Sequence, residues 1–98
     1  NVVNFPNPFN KNTTFSFNHN MAGENLQVTI SIFNANGQVV KTIATYLREA
    51  QGRVMTIQWD TEEERIERLA SGVYFYRLTV STDDGRKAEK VEKIVILN

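Results

Sequence analysis

The chain is 98 residues long, 41% hydrophobic and free of cysteine, a size that supports one domain able to bury a core without disulfide or metal staples. Eleven basic residues balance eleven acidic ones, which argues against nucleic acid or anionic membrane as a partner, because both are gripped through surplus positive charge. No stretch reaches the ~20 apolar residues of a membrane-crossing helix, so direct membrane insertion is not expected.

Val2 and Val3 open a short edge strand that Pro6 and Pro8 close, since proline has no N–H to give a ladder. Phe15 and Phe17 alternate with Thr14, Ser16 and Asn18, a half-buried strand. Leu26, Val28, Ile30 and Ile32 alternate with Gln27, Thr29 and Ser31, the cleanest period of two in the chain. Asn36-Gly37 supplies a tight turn, both residues tolerating positive φ, into a strand carrying Val39, Val40, Ile43 and Tyr46. Gly52 restarts the chain into Met55, Ile57 and Trp59. Thr61-Glu62-Glu63-Glu64 matches a capping box, and Ile66 and Leu69 follow at helical spacing, so one short helical turn is expected there. Gly72 ends that turn and opens a strand of Tyr74, Tyr76, Leu78 and Val80; Asp83-Asp84-Gly85 then turns the chain into a last strand ending in Ile94, Val95, Ile96 and Leu97. About seven strands with turns every 8–12 residues is the pattern of an all-β, immunoglobulin-like antiparallel sandwich.

The last strand has two unlike halves. Arg86 to Lys93 is mostly charged and the remainder wholly apolar. A continuous apolar run fits a strand covered on both faces by its own domain. It fits equally a strand covered by its domain on one face and by a partner on the other.

No constellation for covalent chemistry is present. His19 is the only histidine and sits between Asn18 and Asn20 at a strand end, the setting of a surface turn. There is no second histidine at metal-ligand spacing and no Gly-x-Ser-x-Gly elbow. Glu62, Glu63, Glu64 and Glu67 interleave with Arg65 and Arg68; successive residues on a helical turn diverge by ~100°, so a solvated, ion-paired face is expected rather than a cation site. Asp83-Asp84-Gly85 reads as a hairpin turn, and Asn12-Thr13-Thr14 fits the glycosylation pattern only as a three-residue match. Phe15, Phe17, Trp59, Tyr74 and Tyr76 fit a core better than a carbohydrate platform because they alternate with polar residues. Lys87, Lys90 and Lys93 are offset by Glu89 and Glu92 and make no basic stripe. Val73 and Phe75 lie opposite the core face of their strand, either as an exposed interaction patch or under the helical turn. Catalytic, metal-binding and cofactor-binding residues are therefore none.

Five motifs in order carry a resemblance. Pro6-Asn7-Pro8-Phe9-Asn10 precedes the Thr13-Thr14-Phe15-Ser16-Phe17 strand. Then come Ile32-Phe33-Asn34-Ala35-Asn36-Gly37-Gln38-Val39-Val40, Gln58-Trp59-Asp60, Leu69-Ala70-Ser71-Gly72-Val73-Tyr74-Phe75-Tyr76-Arg77-Leu78 and Lys93-Ile94-Val95-Ile96-Leu97. Together they resemble the type IX secretion carboxyl-terminal sorting domain, a pattern shared with the related immunoglobulin-like module of flagellar hook-capping proteins. The resemblance implies a non-catalytic signal that directs an amino-terminal passenger through the periplasm to the outer-membrane surface or extracellular space of a Gram-negative bacterium. It implies as partners the secretion machinery, with its outer-membrane shuttle barrel, and a surface sortase. The recognition residues it implies are Pro6, Pro8, Gly72, Tyr74, Lys90, Lys93, Ile94, Val95, Ile96 and Leu97. In this chain a charged stretch, Thr61 to Arg68, stands where the family has an Asp- and Gly-rich loop, and Asn98 stands where a lysine is common.

Asn1-Val2-Val3 has neither the basic end nor the apolar run of a signal peptide, the chain starts almost inside a strand, and it stops one residue after its last apolar one. The expectation is a single domain over residues 1–98, taken from the carboxyl end of a larger secreted protein. A passive accessory module of a surface enzyme or filament cap is the second reading.

Overall fold

A strand buries one face and wets the other when apolar and polar side chains alternate, and the chain is extended wherever its sequence does so. The computed structural model describes residues 2–8, 12–21, 23–50, 54–60 and 69–97. Among them run β1 (Val2–Phe5), β2 (Asn12–Asn18), β3 (Leu26–Phe33), β4 (Val39–Leu47), β5 (Val54–Asp60), β6 (Gly72–Thr82) and β7 (Lys87–Ile96). They form a three-stranded sheet, β1-β2-β5, and a four-stranded sheet, β4-β3-β6-β7, with every pairing antiparallel. This is the expected all-β sandwich. The expected helical turn over Thr61 to Arg68 lies outside the described residues, as do Gly52, Phe9, Asn10 and Asn98.

The inner faces meet as the alternation requires. Phe15, Phe17 and Trp59 come from the smaller sheet; Leu26, Val28, Ile30, Ile32, Tyr74, Tyr76, Leu78, Val80, Ile94 and Ile96 come from the larger, and all are buried. The Phe15 ring meets Tyr76 edge-on across the interior, centroids 4.9 Å apart and planes at 68°, the arrangement that aromatic quadrupoles favour. The five aromatics weighed as a binding platform are thus core. Each fully buried large apolar side chain contributes about 1.5–3 kcal/mol. Burial, reinforced by the nearby Glu92 carboxylate, pushes the Tyr76 phenol up to about 12.

Two hairpins are organised by side chains upstream of the turn. After β3, the N–H groups of Asn36 and Gln38 both donate to Asn34 Oδ1 at 3.0 Å, while Gly37 N–H reaches Asn34 O at 2.9 Å. Gly37 takes a φ of 84° but Asn36 does not join it at positive φ, so the turn is not the two-residue form the Asn-Gly pair suggests. Asn34 builds it by presenting one oxygen to two donors. Opposite Phe33 the register shifts, Ile32 facing Lys41 and Phe33 facing Val39. That bulge leaves Val40 unopposed and half-buried against the core. After β6, the Thr82 hydroxyl accepts from Arg86 N–H at 3.0 Å and so ties the two ends of the second turn together.

β7 is an edge strand of the four-stranded sheet, and β1 is an edge of the other. The two edges touch on one side of the sandwich. β1 has 4 residues and β7 has 10; at ~3.3 Å per residue β1 covers less than half of it. Beyond β1 the side stays open as a groove of 570 Å³ lined by Val2, Phe17, Met21, Leu78, Ala88 and Lys90, among others.

Candidate functional site

Asn7 sits between Pro6 and Pro8, each joined to the preceding residue by a cis peptide bond. Its side chain is turned to the outer rim of β7. Oδ1 accepts from Val95 N–H at 3.0 Å, and Nδ2 donates to Lys93 O at 3.3 Å. A primary amide offers one acceptor and two donors, so Asn7 does for Lys93 and Val95 what a neighbouring strand would do. Its remaining donor reaches Asn4 Oδ1 at 3.2 Å.

Behind that contact is a buried polar knot. The Thr13 hydroxyl donates to Pro6 O at 2.9 Å and accepts from Asn4 Nδ2 at 3.2 Å; Asn4 Nδ2 also leans on Pro6 O at 3.4 Å. Thr13 is 1% exposed, and a buried hydroxyl keeps its place only while it is bonded. The alternation of β2 places Thr13 inward beside Phe15, which is why a polar residue enters the core at this point. The proline turn is therefore clamped from beneath by β2 and from the side by β7.

At the same end of the molecule β6 pairs with the end of β7, Gly72 opposite Ile96 and Tyr74 opposite Ile94. The Tyr74 hydroxyl donates to Ala70 O at 2.8 Å and fixes the approach to β6. Gly72 is the first residue of that strand rather than part of a turn, with a φ of 158°. Space beside its Cα is open, so it is this backbone conformation, which residues with a side chain rarely adopt, and not crowding by neighbours that favours glycine here. The apolar run of the terminal strand divides by parity: Ile94 and Ile96 are buried, Val95 is half-buried on the outer face, and Leu97 is 51% exposed.

Nine of the ten residues singled out in the sequence thus converge on one end: Pro6, Pro8, Gly72, Tyr74, Lys93, Ile94, Val95, Ile96 and Leu97. Lys90 does not. It pairs with Leu78 and borders the open groove, about 10 Å along the strand from Lys93. Sequence reasoning passed over Asn7 and Phe5. Phe5 is 79% exposed beside Pro6, and alternation with the inward Asn4 was the signal that marked it as outward.

Outside this end the chemistry-bearing residues are engaged elsewhere. His19 Nδ1 accepts from Met21 N–H at 3.2 Å. Asp83 takes the Tyr46 hydroxyl at 3.1 Å and Asn25 Nδ2 at 3.0 Å, whereas Asp84 takes the Thr82 hydroxyl and Arg86 Nε. The Thr82 hydroxyl first, and Arg86 after it, hold the Asp84 carboxyl below its ordinary range. The two aspartates diverge, as a hairpin turn requires and a cation site does not. Among the described residues no group of three His, Asp or Glu could hold a metal ion. On the outer face of the larger sheet Phe75 stacks on Phe33, centroids 5.9 Å apart, with the Arg77 guanidinium 5.7 Å from the Phe33 centroid. Val73 stays exposed beside them.

Residues 3–97 match the family described as the secretion system C-terminal sorting domain. No curated protein matches the chain. Among solved structures it is similar to dimeric latent PorU from Porphyromonas gingivalis, with a TM-score of 0.82 and 26% identity over 98% of this chain. That likeness takes in 9% of the PorU chain. A match across almost its whole length places the chain in the family: it is a C-terminal sorting domain of type IX secretion, a non-catalytic signal for export to the outer-membrane surface or extracellular space.

Proposed function

We propose that the machinery reads this domain at the end where the proline turn is clamped onto the terminal strand. The reading face comprises Pro6, Pro8, Lys93, Val95 and Leu97, supported from behind by Gly72, Tyr74, Ile94 and Ile96, with Lys90 as an outlying contact. The observation that carries it is the Asn7 bridge, which joins two stretches nearly ninety residues apart in sequence into one surface (separations of 86 and 88). Exposed apolar groups cluster there: Phe5 on the turn and Leu97 on the tail. A soluble domain keeps such groups on its surface most readily where another protein covers them. The partners are an outer-membrane shuttle barrel, which takes the folded domain and its amino-terminal passenger across, and a surface sortase.

Parity along β7 separates reading from folding. Val95 and Leu97 point outward, so Leu97→Glu leaves the core intact, whereas Ile96→Ala empties part of it. The test fuses residues 1–98 behind a periplasmic reporter in a host that has the machinery. The expected result is surface display with the native chain and periplasmic retention with Leu97→Glu, at an unchanged melting temperature. Normal display of Leu97→Glu, together with the paired Phe5→Glu variant, would show that this end is not what is read.

A further inference from the structure

We infer that Asn36 is a self-modification site, at which the main-chain nitrogen of Gly37 converts the Asn36 amide into an aspartyl or isoaspartyl carboxylate, and that the Asn34 side chain sets the rate. This chemistry needs an asparagine followed by a residue whose main-chain nitrogen is unobstructed. Glycine, which has no Cβ, leaves that nitrogen most open, and Asn36-Gly37 is the one Asn-Gly pair in the sequence. Both residues are exposed, and the space beside the Gly37 Cα is empty. Asn36 is held through its main-chain N–H, and its side chain makes no hydrogen bond to the described residues. In the first step the Gly37 nitrogen gives its proton to a solvent base and attacks Asn36 Cγ. A Cγ–N bond forms, the Cγ–Nδ2 bond breaks, and Nδ2 takes up a proton from solvent and leaves as ammonia. Water is the only co-reactant of the second step: it opens the resulting succinimide at one carbonyl or the other, giving Asp or isoAsp. Either product adds one negative charge to a chain of formal net charge zero. IsoAsp also lengthens the main chain by a methylene. The change falls between β3 and β4 at the end of the sandwich that carries the tail, because Phe33 pairs with Phe75 and Phe75 with Lys93.

The folded turn holds the nucleophile back. Gly37 N–H donates to Asn34 O at 2.9 Å. Neither Ala35 nor Asn36 takes a positive φ, and of the hydrogen-bonded turns type I is the one that keeps both central residues negative, with ψ of the second at about 0°. Attack requires the bond to Asn34 O to break and Asn36 to rotate away from that ψ, so that Cγ meets the Gly37 nitrogen. Asn34 opposes the rotation. Its Oδ1 holds the N–H groups of Asn36 and Gln38, one on each side of Gly37 N, at 3.0 Å each. Its Nδ2 donates to Gln38 Oε1 at 3.0 Å. Modification therefore proceeds through the opened turn, at a rate proportional to how often the turn opens.

The experiment incubates the full 98-residue chain and its variants in mildly alkaline buffer over successive weeks. Peptide mapping by mass spectrometry reads the amide-to-acid conversion at each asparagine, and chromatography separates isoAsp from Asp. Circular dichroism at the incubation temperature checks that each variant is folded. In the native chain conversion at Asn36 is expected to outpace that at every other asparagine, and to run faster still in urea, where no turn restrains it. Asn34→Ala is expected to speed conversion at Asn36 about fivefold, the effect of losing roughly one net hydrogen bond from the closed turn. Asn34→Asp keeps the oxygen that both N–H groups use and is expected to stay within about twofold of the native rate. Asn36→Gln would have to close a six-membered ring and is expected to show no conversion at that position over the same period. A native Asn36 no more reactive than the other asparagines would overturn the site. A folded Asn34→Ala protein that converts at the native rate, or an Asn34→Asp protein that converts as fast as Asn34→Ala, would overturn the role of Asn34.

Discussion

Replacing Asn7 with alanine removes three hydrogen bonds at once: Val95 N–H at 3.0 Å, Lys93 O at 3.3 Å and Asn4 Oδ1 at 3.2 Å. The first is short, and a neutral bond of that kind is worth about 1 kcal/mol net; the two longer ones add about half of that each, for about 2 kcal/mol in all. In a domain of 98 residues that loss lowers the melting temperature by about 10 °C. The sharper readout is local. Val95 N–H is protected by a side chain rather than by a neighbouring strand, so in Asn7→Ala its amide hydrogen exchange is expected to quicken at least about tenfold. Amides of Ile30 and Leu78, deep in the sheet, are expected to change only as far as global stability falls. Asn7→Asp keeps the acceptor for Val95 and loses both donors, so it should protect Val95 while still melting early. An Asn7→Ala protein with native Val95 exchange would refute the bridge, and with it the joining of turn and tail.

Tyr76→Phe tests the buried phenol. The unfolded phenol ionises at about 10, the folded one at about 12; both states are neutral below pH 10, and stability is complete there. Between pH 10 and 12 only the unfolded state ionises, so the native protein is expected to lose roughly 1.4 kcal/mol per pH unit that Tyr76→Phe does not lose, by chemical denaturation at each pH. Phe15→Ala removes the ring that meets Tyr76 across the interior and should cost about 3–5 kcal/mol in urea denaturation. Asn34→Ala leaves the N–H groups of Asn36 and Gln38 without their shared acceptor. It should cost about 1 kcal/mol in the same assay, with chemical shifts perturbed around residues 34–38.

What was legible in the sequence was whatever repeats over short distances. The alternation of Leu26 to Ile32, or of Tyr74 to Val80, announces a strand and its buried face because both follow from a period of two. The proline turn and the apolar tail were each visible as composition. That they form one surface was not, because the link is a single amide whose partners lie 86 and 88 residues away, and no local pattern encodes that. Asn36-Gly37 marked the position of a turn correctly and its construction wrongly. Asn34 organises it from two residues upstream, a role that the residue type alone does not announce. Tyr46 counted as a strand residue and is one, but it faces outward and gives its hydroxyl to Asp83. Lys90 fell out of the cluster for a geometric reason: the shortness of β1 leaves that part of β7 beside an open groove, and strand length alone does not say what lies opposite.

The central claim is that the end bearing the proline turn and the tail, and not the opposite end, meets the secretion machinery. Site-specific photo-crosslinking in living cells tests it most directly, with the reactive group placed at Leu97 or Phe5 on one end and at Asp84 on the other. Adducts to an outer-membrane component of the machinery are expected from Leu97 and Phe5, and none from Asp84. Adducts from Asp84 alone, with Leu97 and Phe5 silent in a domain that is still exported, would contradict it.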